Sequence, residues 1–174
     1  MPLSPDLPRT RTSTTVYRIV FKGVDPLSTE GSRKVGGRYN PVGEFAALYT
    51  SSDESTAVAE VARGLRQRGL DPAEYAPGAW WVYELAIEID DVLDLTDTSV
   101  LNLLGVEAAS LTSDDVRLTR DLAARARAAS FKALITPSAT IPDSTNIVIF
   151  LDQLEKPPKI LSSRPVELSF IVAP

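Results

Sequence analysis

The residues best suited to chemistry lie close together between Arg33 and Glu60. This stretch contains a basic cluster, a Gly-Gly pair at positions 36 and 37, an Arg-Tyr-Asn-Pro turn, a short apolar run and Glu60. Two glycines allow the backbone to approach a ligand closely, and the planar fork of arginine suits phosphate groups. A single carboxylate can stabilise an oxocarbenium-like transition state, so the residue types point to glycosyl transfer.

The amino acids that are missing narrow the chemistry further. The chain has 174 residues and contains neither histidine nor cysteine. A Ser-His-Asp triad, a thiol nucleophile, an imidazole base and a metal site built on His or Cys are therefore excluded. We predict no metal and no true cofactor, and expect carboxylates, tyrosines, lysines or backbone amides to do the work. The lack of cysteine fits a reducing cytoplasm, which is the predicted location.

The charge is distributed unevenly along the chain. The net charge is −5, yet the first 40 residues carry seven arginine and lysine residues against three acidic ones. A basic quarter on an acidic body is a poor general binder of nucleic acid, and we expect no direct contact with it. Two interpretations of the basic quarter stay open: a solvated basic face, and a local site for a small anion such as a pyrophosphate.

The first 13 residues differ in composition from the rest. They are rich in Pro, Ser and Thr and lack the apolar segment of a signal peptide, so a flexible lead-in is predicted for 1–13. The remainder, 14–174, is long enough for one domain with a real core and shows no linker. No apolar run approaches the ~18 residues that a membrane span needs, so no membrane association is expected.

The element that carries the first candidate arginine is a strand. Thr14 to Phe21 is a β-branched and aromatic run, in which Arg18 lies on one face between Val16 and Val20. The arginine is either an edge residue that reaches solvent or a cation at the floor of a cleft. A loop is predicted over 22–35, followed by the glycine turn.

The element that carries Glu60 is a helix. A short buried strand is predicted over 45–50, with Tyr49 near its end, where a side chain can face a cleft. Ser51 with Glu54 three residues later fits a capping box, so the helix is predicted to begin there and to end by Gly69. Glu60 falls on the flank of the apolar stripe, facing either solvent or a groove beside the sheet.

The rest of the chain predicts the fold class. Strands are expected over 79–89, 92–95, 131–135, 147–151, 159–162 and 166–172, with a turn at Asp90-Asp91, and helices over 96–104 and 113–129. The tryptophans are expected in the core, and the arginines at 117, 120, 125 and 127 on a solvated helix face. Strands that flank a few helices without strict alternation favour an α+β fold with a mixed, mostly antiparallel sheet.

Three segments together resemble the RES domain, a family named for arginine, glutamate and serine. GGRYNPVGEFAALYTSSDESTAVAEV is similar to its Gly-Gly-Arg-aromatic-Asn turn, aromatic strand and Ala-x-x-Glu helix. TVYRIV resembles the opening Tyr-Arg strand, and LITPSATIPDSTNIVI resembles the later Pro-Ser-Ala and Asn-hydrophobic segment. The matches run in order from Tyr17 to Ile149. Tyr39 departs from the family, in which tryptophan is usual.

The resemblance implies a function as well as a fold. RES proteins have an ADP-ribosyltransferase-like fold and are toxins of bacterial type II toxin–antitoxin pairs. They consume NAD⁺ as a substrate by cleaving its nicotinamide–ribose bond through phosphorolysis or hydrolysis. Their partner is a helical Xre-like antitoxin that covers the active site. Two alternatives remain open at this point: a protein ADP-ribosyltransferase, and a module of the same fold that binds NAD⁺ or a partner without turnover.

The resemblance also assigns residues by motif: Arg18, Arg38, Asn40, Tyr49, Glu60, Ser138 and Asn146. Glu60, with Arg18 and Tyr49, is the implied catalytic set. Arg18 and Arg38 are implied to bind the pyrophosphate, and Asn40 belongs to the substrate site. Tyr49 is expected to stack on nicotinamide. Ser138 is expected to bond a ribose or phosphate oxygen, or to orient Glu60.

Overall fold

The structure, a computed structural model, describes residues 3–4 and 6–168. The described residues form six strands: β1 (Thr10–Phe21), β2 (Leu48–Ser51), β3 (Trp80–Asp94), β4 (Ala133–Pro137), β5 (Thr145–Ile149) and β6 (Lys159–Val166). The α-helices are α1 (Glu30–Val35), α2 (Glu54–Gln67), α3 (Thr98–Leu104) and α4 (Arg117–Ala128). Short 3-10 helices lie at Pro72–Glu74, Ala108–Leu111 and Leu151–Gln153.

The strands form one mixed sheet that closes on itself. Their order is β1-β2-β5-β4-β3-β6, and β1 also pairs with β3. The pairings therefore run in a circle through five strands, with β6 added to the outside of β3. Only β3 and β4 run parallel, and the other pairs are antiparallel. The predicted α+β class with a mixed, mostly antiparallel sheet is confirmed.

The longest strand, β3, corrects the predicted break at Asp90-Asp91. The chain does not turn there. Thr10 pairs with Val92 while Thr12 pairs with Ile89, so β3 carries one extra residue opposite β1. Asp91 takes a positive φ of 59° at this point. A β-bulge absorbs one residue without ending the ladder, which is why two predicted strands form a single one.

The apolar residues of the circle of strands form a shared core. Val16 of β1, Leu48 of β2, Leu85 of β3, Ala133 of β4 and Ile149 of β5 are fully buried together. Each fully buried aliphatic side chain contributes about 1.5–3 kcal/mol through removal of its surface from water. This cluster fixes the strands that carry the candidate site residues.

The helices add two further clusters. The buried side of α2, including Val58 and Leu65, packs against Ile19 of β1 and Val82 of β3. The helix α4 packs with the loops around the glycine turn and with Phe131 in another cluster. The glycine turn and Glu60 are thus held by different layers of the fold.

The N-terminal prediction is wrong in part. Residues 10–13, expected within the flexible lead-in, belong to β1 and pair with β3. Leu3 and Leu7 are 7% and 5% exposed and pack in the cluster around Phe131. Apolar contacts that proline-rich composition does not reveal therefore anchor this segment. The loop predicted over 22–35 also contains α1, which the glycines at 31 and 36 concealed.

The start of α2 differs from the predicted cap. Ser51 ends β2, and the N-cap is Asp53, whose carboxylate accepts from the Thr56 amide at 2.8 Å. The aspartate also accepts from the hydroxyls of Ser55 and Thr56. A carboxylate with three donors outcompetes a serine two residues earlier. The predicted end of the helix by Gly69 is confirmed.

Smaller differences concern the ends of other elements. The strand predicted over 147–151 stops at Ile149, because residues 151–153 turn into a 3-10 helix. The helix predicted from Ser113 begins at Arg117. The strand β6 is continuous where a break was predicted, while the closing strand predicted over 166–172 lies mostly outside the described residues. Trp80 and Trp81 are half-buried rather than in the core. No helix in the described part of the chain is long and apolar enough to cross a membrane.

Candidate active site

Glu60 is held by three hydrogen bonds to one of its oxygens. Oε1 accepts from Ser138 Oγ at 2.7 Å, from Asn146 Nδ2 at 2.8 Å and from the Ala139 amide at 3.2 Å. No donor among the described residues reaches Oε2. The side chain therefore has a fixed orientation, and its second oxygen has no partner among the described residues, which is the arrangement that charge stabilisation requires.

The position of Glu60 follows from the packing of α2. Ala57, Val58, Ala62 and Leu65 are buried and define the face that packs on the sheet. Glu60 lies beside this face and reaches the ends of β4 and β5, as its bonds to Ser138 and Asn146 show. Of the two orientations that the sequence left open, solvent or a groove beside the sheet, Glu60 faces the sheet.

Asn146 is itself oriented by a second residue. Ser51 Oγ donates to Asn146 Oδ1 at 2.7 Å, and the two residues are register partners between β2 and β5. Because the amide oxygen is occupied, the NH₂ group faces Glu60. Ser51 was assigned to a helix cap, so sequence reasoning missed its place in this network. No sequence signal distinguishes a serine that caps a helix from one at the end of a strand.

Ser138 connects Glu60 to the loop that follows β4. Its Oγ accepts from the amides of Thr140 and Ile141, both at 3.1 Å, and lies 2.9 Å from Thr140 Oγ1. With amides donating to this hydroxyl, its own proton is directed to Glu60. Of the two roles proposed for Ser138, the contacts support the one that orients Glu60.

The glycine turn is held by Tyr49 and Asn40. Tyr49 Oη donates to Asn40 Oδ1 at 2.8 Å and accepts from the Tyr39 amide at 2.9 Å. The Asn40 amide group donates to Ser32 O and to Phe45 O. A Cβ at Gly37 would lie 2.3 Å from Tyr49 Oη, so the glycine is required by this tyrosine. The polar atoms of Asn40 and Tyr49 therefore shape the turn, and burial raises the pKa of Tyr49, so its hydroxyl remains a donor.

Arg18 is half-buried and does not extend from an exposed edge. Its guanidinium donates to Tyr49 O at 3.0 Å and to Ser28 O at 2.8 Å. Burial lowers the pKa of Arg18 to about 10, and the Asp25 charge opposes this effect. The side chain is still a cation at neutral pH, and no carboxylate of the described residues lies within ion-pair distance of it. Its charge is not neutralised locally.

Arg38 and the start of α4 are joined at the same turn. Arg38 donates to the carbonyls of Leu111 at 3.2 Å and Ser113 at 2.5 Å. In return, Thr119 Oγ1 donates to Arg38 O at 2.6 Å and Arg120 Nε donates to Gly37 O at 2.9 Å. Arg120 was predicted on a solvated helix face. That prediction is wrong, because the Gly37 carbonyl lies beside the N-terminal end of α4 and binds the Arg120 side chain.

Tyr39 is a buried residue of the glycine turn. It is 2% exposed, and burial raises its pKa to about 12. Thr136 and Arg38 lower this pKa, while the Glu60 charge raises it.

Arg63 completes a chain of contacts from Glu60 to Arg38. It donates to Ala139 O at 3.3 Å and pairs with Asp114 at 3.0 Å. Asp114 follows Ser113, whose carbonyl is bound by Arg38. Arg63 was not singled out from the sequence, and the only available signal was its position one helical turn after Glu60. Within the part of the chain described, no group of three His, Cys, Asp or Glu residues is arranged to hold a metal.

Comparison with known proteins gives several matches. The "Probable NAD(+) phosphorylase Rv3189" of Mycobacterium tuberculosis is 37% identical over 118 residues, which are 68% of this chain and 55% of that protein. The "NAD(+) phosphorylase MbcT" of Mycobacterium bovis is 30% identical over 103 residues, which are 59% of this chain and 55% of that protein. The chain thus spans about half the length of these curated relatives.

Structural and family comparisons agree with the sequence matches. A chain in the crystal structure of the M. tuberculosis MbcT-MbcA toxin-antitoxin complex superposes with a TM-score of 0.78 and 24% identity, covering 92% of this chain and 88% of that chain. At this identity the likeness establishes a common fold. The family model described as the RES domain matches residues 15–170. The chain therefore belongs to the RES domain family.

Proposed function

We propose that this chain cleaves the nicotinamide–ribose bond of NAD⁺ and transfers the ADP-ribosyl group to inorganic phosphate. The observation that carries the proposal is Glu60, which is fixed by three donors on Oε1 and whose Oε2 is bound by no residue in the described part of the chain. Two relatives that match the chain are named NAD(+) phosphorylases, which favours phosphate over water as the acceptor. Hydrolysis and transfer to a protein are the competing outcomes.

The reaction suits a protein without histidine. The bond between the anomeric carbon and the pyridinium nitrogen breaks, and its electron pair neutralises the nicotinamide ring. Because nicotinamide leaves as a neutral molecule, no general acid is needed. The positive charge that develops on the ribose faces Glu60 Oε2. An oxygen of HPO₄²⁻ then bonds to the anomeric carbon, giving ADP-ribose phosphorylated at that carbon with its proton retained on the phosphate.

The other residues of the site bind the rest of the substrate. Arg18 and Arg38 are proposed to attract the pyrophosphate: Arg18 forms no ion pair with the described residues, and Arg38 belongs to the glycine turn. The Tyr49 ring is proposed to contact nicotinamide while its hydroxyl holds the turn. Asn40 acts through the turn that it braces. Ser138 and Asn146 are positioning residues for Glu60.

The biological setting is part of the proposal. A structural neighbour comes from a toxin–antitoxin complex, so we expect this chain to be a toxin that is neutralised by a helical, Xre-like antitoxin covering the groove at Glu60. Its expected place of action is the cytoplasm, where NAD⁺ is available. Residues 14–174 are expected to act as one domain. Co-expression with a cognate antitoxin should restore growth that expression of the toxin alone arrests.

The decisive experiment is incubation of the purified protein with NAD⁺, with and without inorganic phosphate, followed by mass analysis of the products. We expect nicotinamide and phosphorylated ADP-ribose. Glu60→Ala should lower the rate by ~10³-fold or more, since the carboxylate supplies several kcal/mol. The matched control is Glu107→Ala, which removes an exposed glutamate. Intact NAD⁺ after long incubation of the folded protein refutes the proposal, and a labelled protein band identifies a transferase instead.

A further inference from the structure

The chain contains an arginine beside the catalytic carboxylate that none of the roles above uses. Arg63 lies on α2 one turn after Glu60, which places the two Cβ atoms about 5–6 Å apart. Its guanidinium and Glu60 contact the same residue, since Arg63 binds Ala139 O at 3.3 Å and the Ala139 amide donates to Glu60 at 3.2 Å. The side chain of Arg63 is 25% exposed, so part of it is open to solvent.

The ion pair of Arg63 is one that an anion can replace. Asp114 Oδ1 lies 3.0 Å from Arg63 Nη2, but the Asp114 side chain is 90% exposed. A pair with one partner in solvent contributes little, about 0–1 kcal/mol. A phosphate dianion offers more charge than one carboxylate oxygen and matches the guanidinium fork with two acceptors. Asp114 therefore occupies the place of an anion without binding strongly.

We infer that Arg63 binds the inorganic phosphate that attacks the ribose, and that Asp114 holds this position until phosphate displaces it. This inference rests on the proposed function, and it adds the site of the second substrate. An attacking phosphate must lie within bonding distance of the anomeric carbon that Glu60 faces. Four atoms separate the pyrophosphate of NAD⁺ from this carbon. The arginines that bind the pyrophosphate therefore need not lie on the same helix turn as Glu60.

The other arginines of the site are less suited to the second substrate. Both terminal nitrogens of the half-buried Arg18 are bound by backbone carbonyls. Arg38 Nη1 is bound by the carbonyls of Leu111 and Ser113. Arg63 differs from these two in combining a weak acidic partner with a position on the helix of Glu60.

The test measures the Michaelis constants for phosphate and for NAD⁺ separately. Arg63→Gln should raise KM for phosphate by about 10- to 100-fold, the effect of removing a charge-assisted hydrogen-bond donor, and leave KM for NAD⁺ nearly unchanged. Arg63→Lys, which keeps the charge and loses the fork, should fall between. Asp114→Asn should lower KM for phosphate by about 2- to 5-fold, because the competing carboxylate is gone. Arg68→Gln is the control for charge loss at the exposed residue that follows the same helix.

Several results overturn the inference. Arg63→Gln could raise both Michaelis constants equally, or lower kcat with an unchanged KM for phosphate. Either result would show that Arg63 positions the loop at Ala139 instead of binding phosphate. A higher KM for phosphate in Asp114→Asn excludes the displacement. If Arg63→Gln does not fold, the Asp114→Asn result decides alone, since that side chain is exposed.

A binding measurement separates this inference from the proposed function. Inorganic phosphate is titrated into the protein without NAD⁺ by calorimetry, with chloride at matched ionic strength as the reference. Phosphate binding that disappears in Arg63→Gln, in a protein that leaves NAD⁺ intact, refutes the proposed function and supports the phosphate site. Cleavage of NAD⁺ with a KM for phosphate unaffected by Arg63→Gln refutes the site and leaves the function standing.

Discussion

The bond between Asn146 and Glu60 predicts a pH-dependent variant. Asn146 Nδ2 donates to Glu60 Oε1 at 2.8 Å, while its Oδ1 is occupied by Ser51 Oγ. Asn146→Asp keeps the size and the bond to Ser51 and replaces the donor with a second carboxylate. Two carboxylates at this distance share one proton at low pH, and the shared proton takes the place of the amide hydrogen. The variant should therefore work while the pair is singly charged.

The expected pH follows from the repulsion. Two unit charges about 4 Å apart at an effective dielectric constant of 20 repel by ~4 kcal/mol. At 1.36 kcal/mol per pH unit, this moves release of the shared proton by about three units, from the ordinary carboxyl range to near pH 7. Above that pH both groups are charged and the repulsion drives Glu60 out of position. The displacement of Glu60 and the loss of its charge-assisted hydrogen bond together should lower kcat by ~100-fold or more.

The assay is the pH profile of NAD⁺ cleavage between pH 5.5 and 8.5. Asn146→Asp should show activity at the acidic end and a falling limb centred near pH 7 that the unmodified protein lacks. Asn102→Asp is the control, because it makes the same change at an exposed position on α3. A profile for Asn146→Asp that follows the unmodified protein up to pH 8.5 would falsify the bond to Glu60 or the need for Glu60.

Three more changes test the scaffold. Gly37→Ala places a Cβ 2.3 Å from Tyr49 Oη, and we expect the free energy of unfolding in denaturant to fall by about 1–3 kcal/mol. The double variant with Tyr49→Phe should lose less than the sum of the two single losses. Asp53→Ala should lower the free energy of unfolding by about 0.5–2 kcal/mol. Burial acts to raise the pKa of Asp53, but hydrogen bonds from Ser55 and Thr56 outweigh it and lower the pKa. The difference in stability is therefore complete above the unfolded carboxyl range and shrinks as pH falls below about 4, which urea titrations at several pH values measure. Leu122→Ala, at a side chain only 1% exposed, should cost about 2–5 kcal/mol, and an unchanged melting temperature would contradict the packing of α4.

Residues with a local pattern were predicted well from the sequence. The helix of Glu60 was found because its apolar stripe repeats with the helical period, and its end was found because Gly69 stops it. The strand of Arg18 was found from its β-branched run, although it begins at Thr10 rather than Thr14. Pattern alone did not show that residues 10–13 pair with β3, since pairing is decided by a segment about 75 residues away in the chain.

Three residues whose roles depend on distant contacts were not predicted: Arg63, Arg120 and Ser51. Arg120 and Arg63 bind carbonyls of Gly37 and Ala139, which are 83 and 76 positions away. An arginine on a mostly polar helix face looks the same whether it meets solvent or a carbonyl. Ser51 was misassigned for a related reason: a serine before a helix fits a cap, and only the pairing of β2 with β5 brings it to Asn146.

The hydrogen bonds at Glu60 also bear on the choice of acceptor. Its Oε1 already receives three donors, so only Oε2 is left to act on the substrate. In hydrolysis this oxygen would have to face the charged ribose and also accept a proton from the attacking water, because the chain has no histidine to share the work. A phosphate dianion arrives with a charged oxygen and needs no proton acceptor. One free carboxylate oxygen is therefore sufficient for phosphorolysis, and the ratio of phosphorylated to free ADP-ribose at saturating phosphate should strongly favour the phosphorylated product.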